Sequence, residues 1–159
     1  MLDLACGDGG FGEILRARGL RYVGVDASEP MVEAARRRLG KDVHLGDLND
    51  FRPEAPVAAT TVFRAIYYAR DRFAFFRHVA GYTEKKLVFD LNPRQYRLDD
   101  VRGDLRAAGF DRLELRPFLM PQRVALPRPL AAALEAAERT PLARLALRFR
   151  FTYLCAASR

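Results

Sequence analysis

Glycines and acidic residues near the start of the chain have a spacing that suits the binding of a nucleoside. Gly7, Gly9 and Gly12 form a G-x-G-x-x-G motif between an apolar stretch and a helical pattern. Glycines allow a tight turn there and let a ligand approach the N–H groups at the start of the helix. Asp26 stands nineteen residues after Gly7, where its carboxylate can accept hydrogen bonds from two ribose hydroxyls. The pattern predicts a nucleoside-containing cofactor, and a nicotinamide dinucleotide is one interpretation of it.

Two carboxylates and the length of the chain argue against a dinucleotide. Asp3 lies in the first apolar stretch, four residues before Gly7, where dinucleotide-binding loops normally have apolar residues. A buried carboxylate there must be hydrogen-bonded, and a ligand ammonium group is a good candidate partner. Asp8 lies in the loop itself, where it would repel a pyrophosphate. The 159 residues are also too few to add a separate substrate domain to a dinucleotide-binding fold.

The elements that must position these residues alternate between strands and helices. Their predicted order, β-α-β-α-β-β-α-β-α, is typical of an open, largely parallel sheet covered by helices. Ser28 and Asp71 are placed to act as N-caps of two of the helices. The strands are predicted within 1–6, 21–26, 42–47, 57–68 and 85–91, and the helices within 11–19, 28–40, 72–82 and 98–110.

The end of the chain has a different pattern. Residues 112–118 alternate charged and apolar side chains and include Pro117, which predicts an edge strand with one wet face. A short helix is predicted within 126–139. A final strand within 145–154 is predicted from a period of two, which places on one face Leu145, Leu147, Phe149, Phe151 and Tyr153.

Composition indicates the class of protein and the cellular compartment to expect. Half of the residues are hydrophobic and 30% are charged, as expected of one soluble globular domain spanning residues 1–159. No apolar run reaches the ~20 residues that cross a bilayer, and the chain start does not have the pattern of a signal peptide. The two cysteines, Cys6 and Cys155, do not have metal-ligand spacing, so no metal site is predicted. We therefore expect a cytoplasmic protein.

The positive charge favours no particular partner by itself. The net charge is +7, and 24 of the 27 basic residues are arginines scattered among the predicted helices. Without a lysine-rich tail or interleaved aromatic residues, solvated helix faces are a better interpretation than a nucleic-acid surface. Binding to a nucleic acid stays open as the less favoured alternative.

Three segments resemble, in order and spacing, the first three motifs of class I S-adenosylmethionine (SAM)-dependent methyltransferases. They are LDLACGDGGFG, YVGVDASEPMVEAARRR and VHLGDLNDF. The resemblance extends over nearly the whole chain and implies a doubly wound, three-layer αβα fold. Its seven-stranded sheet would have the order 3-2-1-4-5-7-6 with strand 7 antiparallel. It also implies that SAM is the cofactor.

The same resemblance implies roles for individual residues. Asp3 would hold the methionyl amino group directly or through water, Asp26 would bind the ribose, and Asp47 would accept from the adenine amino group. Arg64 and Ala65 would border the sulfonium and the acceptor. The residues implied in cofactor binding are Asp3, Ala5, Gly7, Gly9, Asp26, Ala27, Met31, Asp47, Leu48 and Arg64.

The acceptor is less well defined than the cofactor. Methyl transfer requires a general base only if the acceptor is a hydroxyl or an acidic carbon. Tyr67, Tyr68 and Arg64 are the candidate catalytic residues because they lie near the end of the fourth strand. His44 and His78 are interpreted as structural.

The stretch from Pro117 to Leu147 could cover a hydrophobic acceptor or touch a membrane surface, although a helix packed on the sheet is favoured. Three functions therefore remain open. They are a methyltransferase for a small, hydrophobic molecule, a non-catalytic cofactor-binding module, and an RNA methyltransferase.

The position of the first strand gives one more expectation. Met1 stands where the apolar residue of that strand would lie, whereas methyltransferases of this type usually carry helices before it. We therefore expect the helices that cover cofactor and acceptor to be absent from this chain. An open cofactor site with weaker binding than in a complete relative would follow.

Overall fold

A computed structural model describes residues 1–117, 127–138, 140, 143 and 152–159 and has a seven-stranded sheet at its centre. The strands are β1 (Leu2–Leu4), β2 (Val23–Asp26), β3 (Val43–Leu45), β4 (Val57–Val62), β5 (Thr83–Leu91), β6 (Arg112–Pro117) and β7 (Tyr153–Ser158). The helices are α1 (Gly10–Ala17), α2 (Glu29–Leu39), α3 (Arg72–Ala80), α4 (Leu98–Ala107) and α5 (Arg128–Glu138), with a short 3-10 helix at Ile66–Tyr68.

The sheet has the order β3-β2-β1-β4-β5-β7-β6, which confirms the predicted topology. Strands β1 to β5 pair in parallel, whereas β7 runs antiparallel to both β5 and β6. Strands β2 and β3 lie on one side of β1 in the sheet, and β4 and β5 lie on the other side, so the strand order reverses at β1. In open α/β sheets, ligands bind beyond the carboxyl ends of the strands at such a switch point, here between β1 and β4.

The flanking helices bury two apolar clusters. The larger one includes Phe75 and Phe76 of α3 together with Phe89 of β5. The smaller one is built around Tyr22 and joins Leu15 of α1 to α2. Leu4 at the end of β1 belongs to the larger cluster, and Cys6 just after that strand belongs to the smaller one, so both clusters pack around the carboxyl end of β1.

The bounds of the predicted strands differ from the structure most at the end of the fourth strand and in the seventh, and β5 begins two residues earlier than predicted, at Thr83. The fourth strand ends at Val62 rather than at residue 68, because Arg64 adopts a φ of 55° and the chain then forms the 3-10 helix. Strand β7 begins at Tyr153, and the predicted strand residues before 152 lie outside the described residues. Strand β6 alternates in burial at the edge of the sheet, as predicted.

Helix α5 lies where the sequence predicted a helix. None of its residues is fully buried, and Ala131, Leu134 and Glu138 are half-buried. Much of the stretch from Pro117 to Leu147, for which packing on the sheet was expected, lies outside the described residues. Among the described residues, none of the helices has the length and hydropathy that crossing a membrane requires.

Two glycine-to-alanine substitutions should have opposite effects on stability. A Cβ at Gly12 would overlap the Tyr22 ring, so Gly12→Ala should lower the free energy of unfolding by about 1–3 kcal/mol. A Cβ at Gly103, inside α4, would meet nothing within 4 Å, so Gly103→Ala should raise it by about 0.5–1 kcal/mol. Urea unfolding measures both values. Equal stability of the two variants would contradict the tight packing of α1 on Tyr22.

Candidate functional site

The loop after β1 is a strained backbone turn that borders open space. Ala5, Gly7 and Gly9 alternate along the loop with φ values of 59°, 56° and 81°. A Cβ at Gly9 would lie 2.8 Å from Cδ1 of Leu39, so the loop packs closely against α2. A Cβ at Gly7 would meet nothing within 4 Å, so the backbone there faces a free cradle. Non-glycine residues in this region of φ cost free energy and are concentrated at functional sites, which makes Ala5 informative.

The carboxylate of Asp26 ties this loop to the end of β2. The Gly7 N–H donates to Oδ2 at 2.8 Å, and the Ser28 N–H at the start of α2 donates to Oδ1 at 2.9 Å. An ionised carboxylate offers about four acceptor positions, so about two remain on Asp26 once its contacts with the described residues are counted. Two adjacent hydroxyl groups of a ligand would match that remaining capacity.

Asp3 is a buried carboxylate that two hydroxyl groups already satisfy. Its exposure is 3%, Tyr22 donates to Oδ2 at 2.9 Å, and Thr61 donates to Oδ1 at 2.6 Å. Burial raises the pKa of Asp3 to about 6, although the two hydroxyl donors act in the opposite direction. Sequence reasoning predicted that Asp3 needs a partner but missed these two. The available signal was the polar pair Thr60–Thr61 in an apolar strand, since Thr61 is the register partner of Asp3.

Asp47 lies two residues after the end of β3, and its carboxylate accepts hydrogen bonds from two segments of the chain. Its Oδ1 accepts from the backbone N–H of Asn49 at 2.8 Å and from the side-chain amide of Asn49 at 2.7 Å. Its Oδ2 accepts from Arg70 at 2.9 Å. The Asn49 donors and the Arg70 guanidinium lower the pKa of Asp47, so it is ionised. Sequence reasoning missed both partners, and the neighbouring Leu48 is buried.

The segment after β4 carries the three candidate catalytic residues. Arg64 is the second non-glycine residue with a positive φ, and its N–H donates to the carboxylate of Asp90 on β5. The rings of Tyr67 and Tyr68 lie 4.4 Å apart and are 50% and 63% exposed. A hydrogen bond with Tyr68 raises the pKa of Tyr67, which opposes a role of Tyr67 as a general base. This segment offers exposed aromatic surface rather than an activated base.

The structure brings the glycine loop, Asp26 and the segment after β4 to the carboxyl edge of β1, β2 and β4. Ala27 and Met31 are exposed at the start of α2, beside Asp26, whereas Ala65 is buried. The Nε2 of His78 lies 2.8 Å from the carbonyl oxygen of Phe51, within hydrogen-bonding distance. Within the part of the chain that the structure describes, no three His, Cys, Asp or Glu side chains converge as metal ligands.

The ionisation of Asp3 should appear in the pH dependence of stability. Its folded-state pKa of about 6 lies above the usual 3.8, so ionisation destabilises the fold. The stability that protonated Asp3 contributes to the fold is fully present below pH 3.8 and is lost as the pH rises through 6. Asp3→Asn removes this loss, so its stability relative to the wild type should rise by on the order of 2–3 kcal/mol from pH 4 to pH 7.5. Urea unfolding at both pH values, with exposed Asp99→Asn as the control, measures the change; a constant difference would contradict the assignment.

Comparisons with known proteins agree with this geometry. The family model described as "Methyltransferase domain" matches residues 1–86. The magnesium protoporphyrin IX methyltransferase of Synechocystis PCC 6803, solved with SAM and with SAH, is 18% identical to the chain in its SAM-bound structure. That structure superposes with a TM-score of 0.67 and covers 99% of this chain and 68% of its own.

Two further solved structures have the same fold. A SAM-dependent methyltransferase of Mesorhizobium loti is 19% identical, with a TM-score of 0.70 and coverage of 99% of this chain and 89% of its own. A putative methyltransferase in complex with the Haloferax volcanii Trm112 methyltransferase activator is 21% identical, with a TM-score of 0.72 and coverage of 99% and 80%. No curated protein matches the sequence.

The family match covers more than half of the chain and includes the glycine loop, Asp26 and Asp47. The sheet order β3-β2-β1-β4-β5-β7-β6, with β7 antiparallel, is also shared with the methyltransferase structures. Members of this family use SAM as the methyl donor. The chain belongs to the class I SAM-dependent methyltransferases.

Proposed function

We propose that the protein transfers a methyl group from SAM to a small, hydrophobic molecule. The observation that carries the proposal is the pairing of an open cradle at Gly7 with the unfilled acceptor positions of Asp26. The cradle and the carboxylate are joined by one hydrogen bond of 2.8 Å, so a ligand that reaches one also reaches the other.

The remaining hydrogen-bonding capacity of the site fits the polar groups of SAM. Asp26 would accept from the two ribose hydroxyls, and Asp47 would accept from the adenine amino group. Asp3 would favour the methionyl ammonium through its buried negative charge, and the Gly7 backbone would allow close approach. Bound SAM supplies an electrophilic methyl group on a sulfonium.

Aromatic side chains beyond β1 and β4 support an apolar acceptor. Phe11 of α1 and Phe63 after β4 meet edge to face with ring centroids 5.2 Å apart. The exposed rings of Tyr67 and Tyr68 follow Phe63 in the same segment. We propose that these side chains align a small molecule and exclude water, which can supply much of the rate of a direct displacement. We assign no general base.

The arginines near the site give little support to an RNA substrate. Arg38 of α2 pairs with Asp8 and with Glu13, each at 3.2 Å. Arg70 pairs with Asp47 at 2.9 Å. Carboxylates of the chain itself therefore neutralise cations that would otherwise attract phosphates, whereas RNA-binding surfaces depend on such cations.

Calorimetric titration with S-adenosylhomocysteine (SAH) tests the cofactor assignment. We expect saturable binding of SAH and none of NAD⁺. Asp26→Ala should weaken SAH binding by at least about 100-fold, because it removes two hydrogen bonds to a charged group, each contributing about 1.5–3 kcal/mol. Asp99→Ala, which changes an exposed carboxylate on α4, should leave the affinity unchanged. Equal binding by the two variants would refute the role of Asp26.

Transfer of tritium from methyl-labelled SAM tests the class of acceptor. Incubation with a cell extract containing small molecules and total RNA should place the label in the fraction that partitions into organic solvent. Label recovered in RNA would replace the proposal with an RNA methyltransferase. SAH binding without transfer to either fraction would favour a non-catalytic binding module.

A further inference from the structure

Asn49 and Arg70 join the two segments that border the proposed cofactor and acceptor sites. The Arg70 guanidinium contacts Oδ2 of Asp47 at 2.9 Å and Oδ2 of Asp50 at 3.0 Å. The backbone N–H of Arg70 donates to Oδ1 of Asn49 at 3.0 Å. The side-chain amide of Asn49 donates to the backbone carbonyl of Tyr68 at 3.2 Å. We call these four contacts the clasp.

The clasp contains a residue from each side of the site. Asp47 lies on the side where the adenine is proposed to bind, and Tyr68 carries one of the two exposed rings after β4. The segments are 23 residues apart at the Asp47–Arg70 contact, so the clasp is a tertiary link and not a local turn. The short 3-10 helix between Ile66 and Tyr68 gives the tyrosine segment little regular structure of its own.

The hydrogen bonds of Asp47 leave room for a ligand without breaking the clasp. Among the described residues, three donors use Asp47, whereas a carboxylate offers about four acceptor positions. One additional donor can therefore be accepted while Asn49 and Arg70 stay in place. Ligand binding would then restrict the Asp47 side chain and, through the same oxygens, its two partners.

We propose that Asn49 and Arg70 are positioning residues that transmit occupancy of the cofactor site to the Tyr67–Tyr68 segment. This inference rests on the proposed function, because it requires a ligand that engages Asp47. Arg70 is suited to this role, since its planar guanidinium can contact two carboxylates at once. Cofactor binding would order the acceptor side before the acceptor arrives.

Hydrogen exchange measured by mass spectrometry tests the proposal on the full chain. The wild type and the variants Arg70→Ala and Arg112→Ala are compared with and without saturating SAH. Arg112 is a matched control, because it forms an exposed ion pair with Glu114 on the edge strand β6, at 3.0 Å. Peptides over 5–13 report occupancy at the glycine loop, and peptides over 63–72 report the tyrosine segment.

In the wild type and in Arg112→Ala, SAH should slow exchange in both peptides. In Arg70→Ala, SAH should still slow exchange over 5–13, whereas the protection over 63–72 should be lost. Asp50→Asn, which leaves every Asp47 contact available, should reduce that protection as well. Unchanged protection over 63–72 in Arg70→Ala would overturn the inference while leaving the cofactor assignment intact. No effect of SAH on any peptide of the wild type would instead overturn the proposed function.

Discussion

The hydrogen bond from the Gly7 N–H to Asp26 is the constraint on which the site depends. It joins the loop after β1 to the end of β2, and the second oxygen of the same carboxylate accepts from the start of α2. One side chain therefore fixes three segments that meet at the carboxyl edge of the sheet. Because the bonds are made to an ionised group, they are stronger than bonds between neutral partners. The positive φ values of Ala5 and Gly7 persist because the surrounding contacts leave the loop little freedom.

The central strands carry features that reduce stability and that the proposed function uses. Ala5 and Arg64 follow adjacent strands, and both adopt backbone conformations that non-glycine residues rarely occupy. Asp3 places a buried carboxylate on β1 next to Thr61 of β4, and burial raises its pKa to about 6. An apolar residue at position 3 would avoid the free-energy cost of burying a charged group. Such costs at one edge of the sheet are expected where a site needs a fixed charge and a close backbone approach.

The alternation of strands and helices could be predicted from the sequence because its signals are local or periodic, whereas the order of the strands in the sheet was implied by the resemblance to the methyltransferases. The glycine loop, the order of the elements and the alternation in β6 are each contained in short segments. The Asp71 N-cap is also local, and its carboxylate does accept from the Ala74 N–H at 2.6 Å. Ser28 occupies the N-cap position of α2, but its side chain makes no capping hydrogen bond.

The remaining features come from contacts between distant residues. The hydroxyl of Thr61 reaches Asp3 across 58 residues of sequence, so no spacing rule could pair them. The aromatic and β-branched run over 57–68 favours a strand throughout, yet the Arg64 N–H bonds to Asp90 and the strand has already ended. Tertiary contacts overrode local propensity at that point. Asn49 and Arg70 were missed for the same reason.

The central claim is that one ligand, SAM, is bound where β1, β2 and β4 end together. Chemical-shift mapping of the ¹⁵N-labelled chain with SAH tests it most directly, because each backbone N–H reports its own surroundings. The account predicts that the largest shifts fall on the amides of Gly7, Gly9, Ala27 and Leu48. Shifts concentrated instead in the hollow lined by Arg102, Arg106 and Phe110, between α4 and β6, would contradict it.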